Sequence, residues 1–119
     1  MPYDPNNIFA KIIRGEIPCK KVYEDDHVLG FHDISPQAPI HVLVIPKGAY
    51  VNFDEFSLNA SAAEISSLVQ AVGKIARGLG LTDSGYRLLV NNGVHAGQEV
   101  PHFHIHLCGG KPLGKMLIG

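Results

Sequence analysis

The sequence has little charge of either sign, no tryptophan and only two cysteines. Charged residues make up 18% of the 119 residues, and the formal net charge is -1. A basic surface for wrapping nucleic acid is therefore not expected. The two cysteines, Cys19 and Cys108, lie far apart in a chain with no sign of secretion, so we expect no disulfide between them.

The sequence also lacks a secretory signal and a membrane-spanning run. Its first residues, MPYDPNNIF, contain an acid, two prolines and two asparagines where a signal peptide has a basic start and a long apolar segment. Apolar runs such as Val42 to Ile45 are far shorter than the roughly 20 residues of a transmembrane helix. These absences predict a cytoplasmic protein that binds neither membranes nor nucleic acid.

What the sequence does contain is enough apolar material for one core. Hydrophobic residues make up 45% of the chain, and no repeat, linker or low-complexity tract divides it. We therefore expect a single domain over residues 1–119.

Two segments have the spacing of helices. From Ser61 to Leu79, apolar residues recur at i, i+3 and i+4, and Ser61 with Glu64 forms a capping-box pattern at the start. A shorter helix is predicted from Ile8 to Arg14, ending at Gly15. The apolar positions of the long helix are Ile65, Leu68, Val69, Val72, Ile75, Ala76 and Leu79.

Five other segments have the composition of strands, with turn-forming residues between them. Because strands do not alternate with helices along the chain, the pattern predicts an α+β fold with a mainly antiparallel sheet and one long and one short helix. The predicted strands are Lys21 to Glu24, Val28 to His32, His41 to Ile45, Arg87 to Asn91 and His102 to Leu107.

The stretch PHFHIHL, residues 101–107, places three histidines at alternate positions. On a strand, His102, His104 and His106 would share one face and the apolar residues between them the other. An accidental cluster is a poor explanation, because burying three imidazoles costs free energy unless each has a partner.

Zinc binding is one explanation of this row. Same-face neighbours lie roughly 6.6 Å apart, so two histidines could share an ion, whereas three in a line converge poorly and would need ligands from elsewhere. The chain has no Cys-x-x-Cys or His-Glu-x-x-His pattern. Further candidate ligands are His41, His95, Asp33 and Cys108.

Catalysis at phosphorus is the other explanation. An imidazole with a pKa near ~6.5 is largely neutral at pH 7, and crowding disfavours charging several at once, so a nucleophile and proton donors can coexist in one row. The preceding stretch, VNNGVHAGQEVP, supplies glycines for close backbone approach and amide side chains at Asn91, Asn92 and Gln98. Such a loop suits a phosphate group.

The motif HFHIHL resembles the His-x-His-x-His-x-x motif of the histidine triad superfamily. The segments FHDISPQAPIHVLVIPK, GYRLLVNNG and GQEVPHFHIHLCGG resemble its nucleoside phosphoramidase (Hint) branch in order and spacing. This resemblance implies a homodimer whose two five-stranded sheets join into one of ten strands. It also implies a purine nucleotide substrate, a covalent nucleotidyl-histidine intermediate and no required cofactor, although adventitious zinc is possible.

The resemblance further implies roles for individual residues. His104 would be the nucleophile, His106 would contact the phosphate, His102 would fix ring orientation, and His41 would hydrogen-bond within the triad. The positions matching phosphate contacts are Asn91, Gly97, Gln98 and the backbone at Glu99. Asp33 and Ile34 match ribose and base contacts, and the base-pocket walls would be Phe9, Ile12, Phe31 and His32, which core packing explains equally well.

Two departures from the family pattern concern the leaving group. Glu99 stands where eukaryotic relatives have a serine, and the tail GGKPLGKMLIG is short and lacks tryptophan. The main hypothesis is thus a hydrolase of nucleoside phosphoramidates or similar AMP adducts. The alternatives are a dinucleoside polyphosphate hydrolase of the same superfamily and a non-catalytic protein that binds nucleotide or zinc.

Overall fold

A five-stranded antiparallel sheet forms the centre of the protein in a computed structural model that describes residues 2–117. The predicted domain also included Met1, Ile118 and Gly119, which lie outside these residues. The strands lie in the order β1-β2-β3-β5-β4, and each neighbouring pair is antiparallel. They are β1 (Lys21–Glu24), β2 (Val28–His32), β3 (Ile40–Pro46), β4 (Arg87–Leu89) and β5 (Ile105–Gly109). The predicted α+β fold is confirmed.

Three α-helices accompany the sheet: α1 (Ile8–Ile13), α2 (Phe53–Asn59) and α3 (Ala62–Gly78). Helices α1 and α3 were predicted, whereas α2 was not. With seven residues and one buried side chain, Phe56, α2 is too short to show a helical period. Its one sequence signal is Asn52, whose side chain accepts a hydrogen bond from the Glu55 amide at 2.9 Å and caps the first turn.

Helix α3 begins at the predicted capping box. Ser61 Oγ accepts from the Glu64 amide, and the Glu64 carboxylate accepts from the Ser61 amide. Two of the apolar residues assigned to the buried face, Ile65 and Val69, are instead exposed, Val69 to 66%. The reason is geometric, since the face in contact with the sheet follows the narrower stripe Leu68, Ala71, Val72, Ile75 and Ala76.

The α3 face of the sheet forms the larger core. Val42, Val44 and Leu107 lie there with the α3 stripe, and all three are fully buried. The close approach of helix to sheet depends on Gly30 of β2, because a Cβ added there would lie 2.7 Å from Ile75 Cδ1.

The opposite face, which we call the histidine face, is packed by α1. A second apolar cluster is buried there, made of Phe9, Leu29, Phe31, Leu43 and Ile45. Among residues 2–117, none of the helices is both long and apolar enough to cross a bilayer.

Candidate active site

The three histidines share the histidine face although only one belongs to the strand. Strand β5 begins at Ile105 and runs to Gly109, so His102 and His104 precede it, and the prediction of a strand from His102 was early by three residues. The extended chain nevertheless keeps the alternation, because Phe103 and Leu107 enter the α3 core. His104 packs edge-on against Phe9 of the other cluster, with ring centroids 5.0 Å apart.

His104 has its tautomer set by its own backbone neighbour. Its Nδ1 lies 2.7 Å from the carbonyl oxygen of His102, and since a carbonyl only accepts, the His104 proton is on Nδ1. Nε2 is left with a free lone pair. Burial lowers the pKa of His104, while the negative charges of Asp33 and Glu99 oppose part of that shift. The lowered pKa keeps the His104 ring neutral at pH 7, with its single proton on Nδ1.

His102 is fully buried, and both its ring nitrogens are used. Nε2 donates to the Pro46 carbonyl at 2.8 Å, which leaves Nδ1 to accept from the Tyr3 hydroxyl at 2.7 Å. Burial lowers the pKa of His102 to about 4. His102 is thus neutral and holds structure together. No local pattern pointed to Tyr3 as a partner of His102, from which it is separated by 99 positions.

His106 and His41 form the second half of the network. The backbone amide of Gln37 donates to His41 Nδ1 at 3.0 Å, so the His41 proton lies on Nε2 and is donated to His106 Nδ1 at 2.9 Å. The remaining His106 proton is then on Nε2. Burial, followed by the neighbouring His104 and His41, lowers the pKa of His106 to about 4. The predicted pairing of His41 with the triad is present in this geometry.

His41 and His106, together with Asp33, form the one group in residues 2–117 with the spacing of a metal site. Ligand atoms of Asp33, His41 and His106 lie within 4.8 Å of one another. A divalent ion would need the lone pair of His41 Nε2, yet the Gln37 amide occupies Nδ1 and keeps the proton on Nε2. Metal binding here would cost that hydrogen bond, so the donor set fits a proton network better than zinc.

The glycine-rich loop before the triad is braced by Gln98. Its amide nitrogen donates to the carbonyls of Val51 and Val100 at 2.8 and 3.0 Å, and its oxygen accepts from the Gly93 amide at 2.9 Å. The Gln98 side chain, which was predicted to contact phosphate, is therefore engaged with backbone groups of the loop and of Val51. Gly97 has φ +73°, a left-handed conformation that other residues adopt at a cost.

Asn91 and Glu99, which were also predicted to contact phosphate, lie on either side of Gln98 in the sequence. Asn91 follows β4 and is half-buried, whereas Glu99 is exposed, close enough for its charge to affect His104. The neighbouring Asn92 ties the loop to α2, because its oxygen accepts from the Asp54 amide at 2.8 Å.

The predicted base-pocket residues separate into two groups. Phe9 and Phe31 pack edge-to-face at 5.7 Å on the histidine face, and Ile12 lies against the same cluster. His32, also predicted to line the base pocket, pairs in register with Val42, so its side chain points to the opposite face. Adjacent residues of one strand cannot line the same pocket with both side chains.

Asp33 and Ile34, the residues predicted to contact ribose and base, directly follow β2. Asp33 Oδ1 accepts from the Ser35 amide at 2.8 Å, and Oδ2 lies 3.5 Å from His41 Nε2. The Ile34 side chain is 98% exposed. The base contact of Ile34 stays a prediction.

Comparison with known proteins gives a consistent result. The HIT domain family matches residues 14–113. An uncharacterized 13.2 kDa HIT-like protein of Azospirillum brasilense is 63% identical over 97% of this chain and 94% of its own. The purine nucleoside phosphoramidase of Escherichia coli K12 is 48% identical over 92% of each chain.

Solved structures share the fold as well. A HIT family hydrolase from Clostridium thermocellum superposes with a TM-score of 0.86 at 46% identity, covering 94% of this chain and 97% of its own. A histidine triad protein from Clostridium difficile gives 0.85 at 39% identity, covering 98% and 100%. The chain therefore belongs to the histidine triad (HIT) family of hydrolases.

Proposed function

We propose that the protein hydrolyses purine nucleoside 5'-phosphoramidates through a nucleotidyl-His104 intermediate. The observation that carries this proposal is the His104 tautomer, with its proton held on Nδ1 by the His102 carbonyl and its Nε2 lone pair free. A lowered pKa supports it, because the nucleophile needs no prior deprotonation at neutral pH.

The reaction has two steps. His104 Nε2 attacks the α-phosphorus and forms a P–N bond while the bond from phosphorus to the substrate amine breaks, and the amine leaves with a proton taken from solvent. Water then attacks the same phosphorus and gives a proton back to solvent, the His104–P bond breaks, and the nucleoside 5'-monophosphate is released with His104 restored. His106 donates Nε2–H to a phosphate oxygen and stabilises the charge that develops there.

Nucleotide binding uses the surface around the triad. Phe9, Ile12 and Phe31 provide the apolar wall for the base, and Asp33 accepts hydrogen bonds from the ribose hydroxyls. Backbone groups of the loop at Gly97 and Glu99, with the side chain of Asn91, hold the phosphate. The naming of a 48% identical E. coli relative as a purine nucleoside phosphoramidase supports this substrate class.

The proposed reaction requires no metal or organic cofactor. It predicts AMP release from adenosine 5'-phosphoramidate in the presence of EDTA. Absence of release by the wild type, or equal release by His104→Ala, would contradict the proposal.

The alternative substrate class is tested by measuring kcat/KM on diadenosine polyphosphate as well as on adenosine 5'-phosphoramidate. A higher kcat/KM on diadenosine polyphosphate would favour that class. The alternative of a non-catalytic binding protein would be favoured if elemental analysis found stoichiometric zinc in the untreated protein and that zinc inhibited AMP release.

We also propose that two copies associate through β4. This strand lies at the end of the sheet, and the consecutive residues Leu88, Leu89 and Val90 are exposed there. An exposed apolar edge strand is a ready template for pairing with a second sheet. Sedimentation should give a dimer for the wild type and a smaller species for Leu88→Glu. A monomeric wild type would contradict this part of the proposal.

A further inference from the structure

The N-terminal segment contacts the triad through Tyr3. The Tyr3 hydroxyl donates to His102 Nδ1 at 2.7 Å, and the two rings meet edge to face with centroids 5.6 Å apart. Tyr3 lies outside residues 14–113, the part of the chain that the family model matches. The contact therefore joins the triad to a residue outside the segment that the family model matches.

Tyr3 is braced by the residues that follow it. Arg14, at the end of α1, donates to the Pro5 carbonyl at 2.7 Å. Asn7 donates to the Asp4 carbonyl at 2.8 Å and accepts from the Ala10 amide at 2.9 Å, so it joins the segment to the start of α1. The hydroxyl of Tyr3 is thus presented to His102 from a segment that is hydrogen-bonded to α1.

His102 depends on this hydroxyl because the ring has no exposed surface. The Pro46 carbonyl requires the proton on Nε2, and Nδ1 then needs a donor that water cannot supply to a ring without solvent contact. Tyr3 is the donor in this position. The two partners together hold His102 in one tautomer and one orientation.

This anchoring extends to the proposed nucleophile through the backbone. The His102 carbonyl accepts from His104 Nδ1 at 2.7 Å, so the position of that carbonyl decides where the His104 proton lies. We propose that Tyr3 is a positioning residue, whose hydroxyl fixes the His102 ring and thereby keeps the His104 proton on Nδ1. Its effect on the reaction rate rests on the function proposed above.

The test is Tyr3→Phe, which retains the ring packing and removes only the hydroxyl. Tyr86→Phe is the matched control, since Tyr86 is exposed and outside the histidine network. Imidazole ¹⁵N NMR at neutral pH should show a changed Nδ1 resonance for His102 and a mixed tautomer for His104 in Tyr3→Phe. The kcat on adenosine 5'-phosphoramidate should fall roughly five- to tenfold, the worth of one buried hydrogen bond, with KM within about twofold.

Each readout has an outcome that overturns the inference. Unchanged His102 and His104 resonances in Tyr3→Phe would show that the hydroxyl does not hold the network. Altered resonances with an unchanged kcat would show that it holds structure without positioning the nucleophile. If the wild type itself releases no AMP, the proposed function fails, and the His104 tautomer in Tyr3→Phe then decides the positioning role by itself.

Discussion

The two faces of the sheet differ in what they bury. The α3 face is packed by apolar side chains such as Val42, Val44 and Leu107, none of which needs a partner. The buried polar residues among those described are Asn7, His41, His102 and His104, which belong to the histidine face or to the segment that packs on it. The α3 face thus contributes most of the buried apolar surface. On the histidine face, part of the interior is occupied by four imidazoles and the partners that hold their protons in place.

This comparison shows that the face of the sheet on which a side chain lies decides its chemical environment. Neighbouring residues such as Phe103 and His104 enter environments that share only the backbone between them. Changes on the two faces should therefore separate loss of activity from loss of stability.

The largest effect is expected for His104→Ala. Removing the proposed covalent nucleophile should lower kcat/KM by about a thousandfold or more, because no other group would replace the P–N bond that the proposal assigns to it. The variant should keep the wild-type circular dichroism spectrum, which is the control for folding. Retention of more than a tenth of the activity in a repurified sample would assign the nucleophile elsewhere.

On the other face, Ile75→Ala should affect stability and leave chemistry alone. Deleting part of a buried aliphatic side chain costs about 2–5 kcal/mol, to be measured by urea unfolding. Val69→Ala on the exposed side of the same helix is the matched control and should change stability by less than about 0.5 kcal/mol. The kcat per folded molecule should stay at the wild-type value. A parallel drop in kcat would contradict the assignment of stability to the α3 face and activity to the histidine face.

Acidification should weaken the histidine face. The pKa of His102 is about 4 in the folded protein and near ~6.5 in an unfolded chain, so the unfolded state takes up a proton first as pH falls. Stability contributed by neutral His102 is thus present above about pH 6.5 and decreases toward pH 4, by on the order of 1 kcal/mol per pH unit.

Urea unfolding at pH 7 and pH 5 measures this slope. His102→Gln should reduce it, whereas His95→Gln, a change at an exposed histidine, should leave it unchanged. An equal slope in wild type and His102→Gln would mean that other groups cause the acid sensitivity.

The smallest effect is expected at Glu99, on the rim of the histidine face. Its negative charge raises the pKa of His104, so Glu99→Gln should lower that pKa and shift the acid limb of kcat/KM to lower pH. The rate at pH 7 should change by less than about threefold, because Glu99 is exposed and well screened. A shift of the limb to higher pH would contradict the assigned electrostatics.

Local patterns predicted much of the fold. The capping box at Ser61 located the start of α3 to within one residue, and the alternation in PHFHIHL identified the face on which the imidazoles lie. These features succeed because their causes lie within a few residues of one another. Helix α2 escaped detection because seven residues carry too little periodicity.

The parts of the site that could not be predicted from the sequence depend on contacts between distant segments. Tyr3 reaches His102 across 99 positions, and the Gln37 amide fixes the His41 tautomer through a loop whose path no local rule supplies. His32 shows the reverse case, since the strand period alone could have placed it on the face opposite Phe31. Residue types therefore led to His104 as the proposed nucleophile, whereas the tautomers required the structure.

The central claim is that His104 Nε2 takes the nucleotidyl group. It is tested most directly by acid-free rapid quenching of the wild type with adenosine 5'-phosphoramidate, followed by mapping of the modified peptide by mass spectrometry. An adenylyl group on His104 that appears and decays within the turnover time is the predicted result. An adduct on His102 or His106, or turnover with no adduct at any time point, would contradict it.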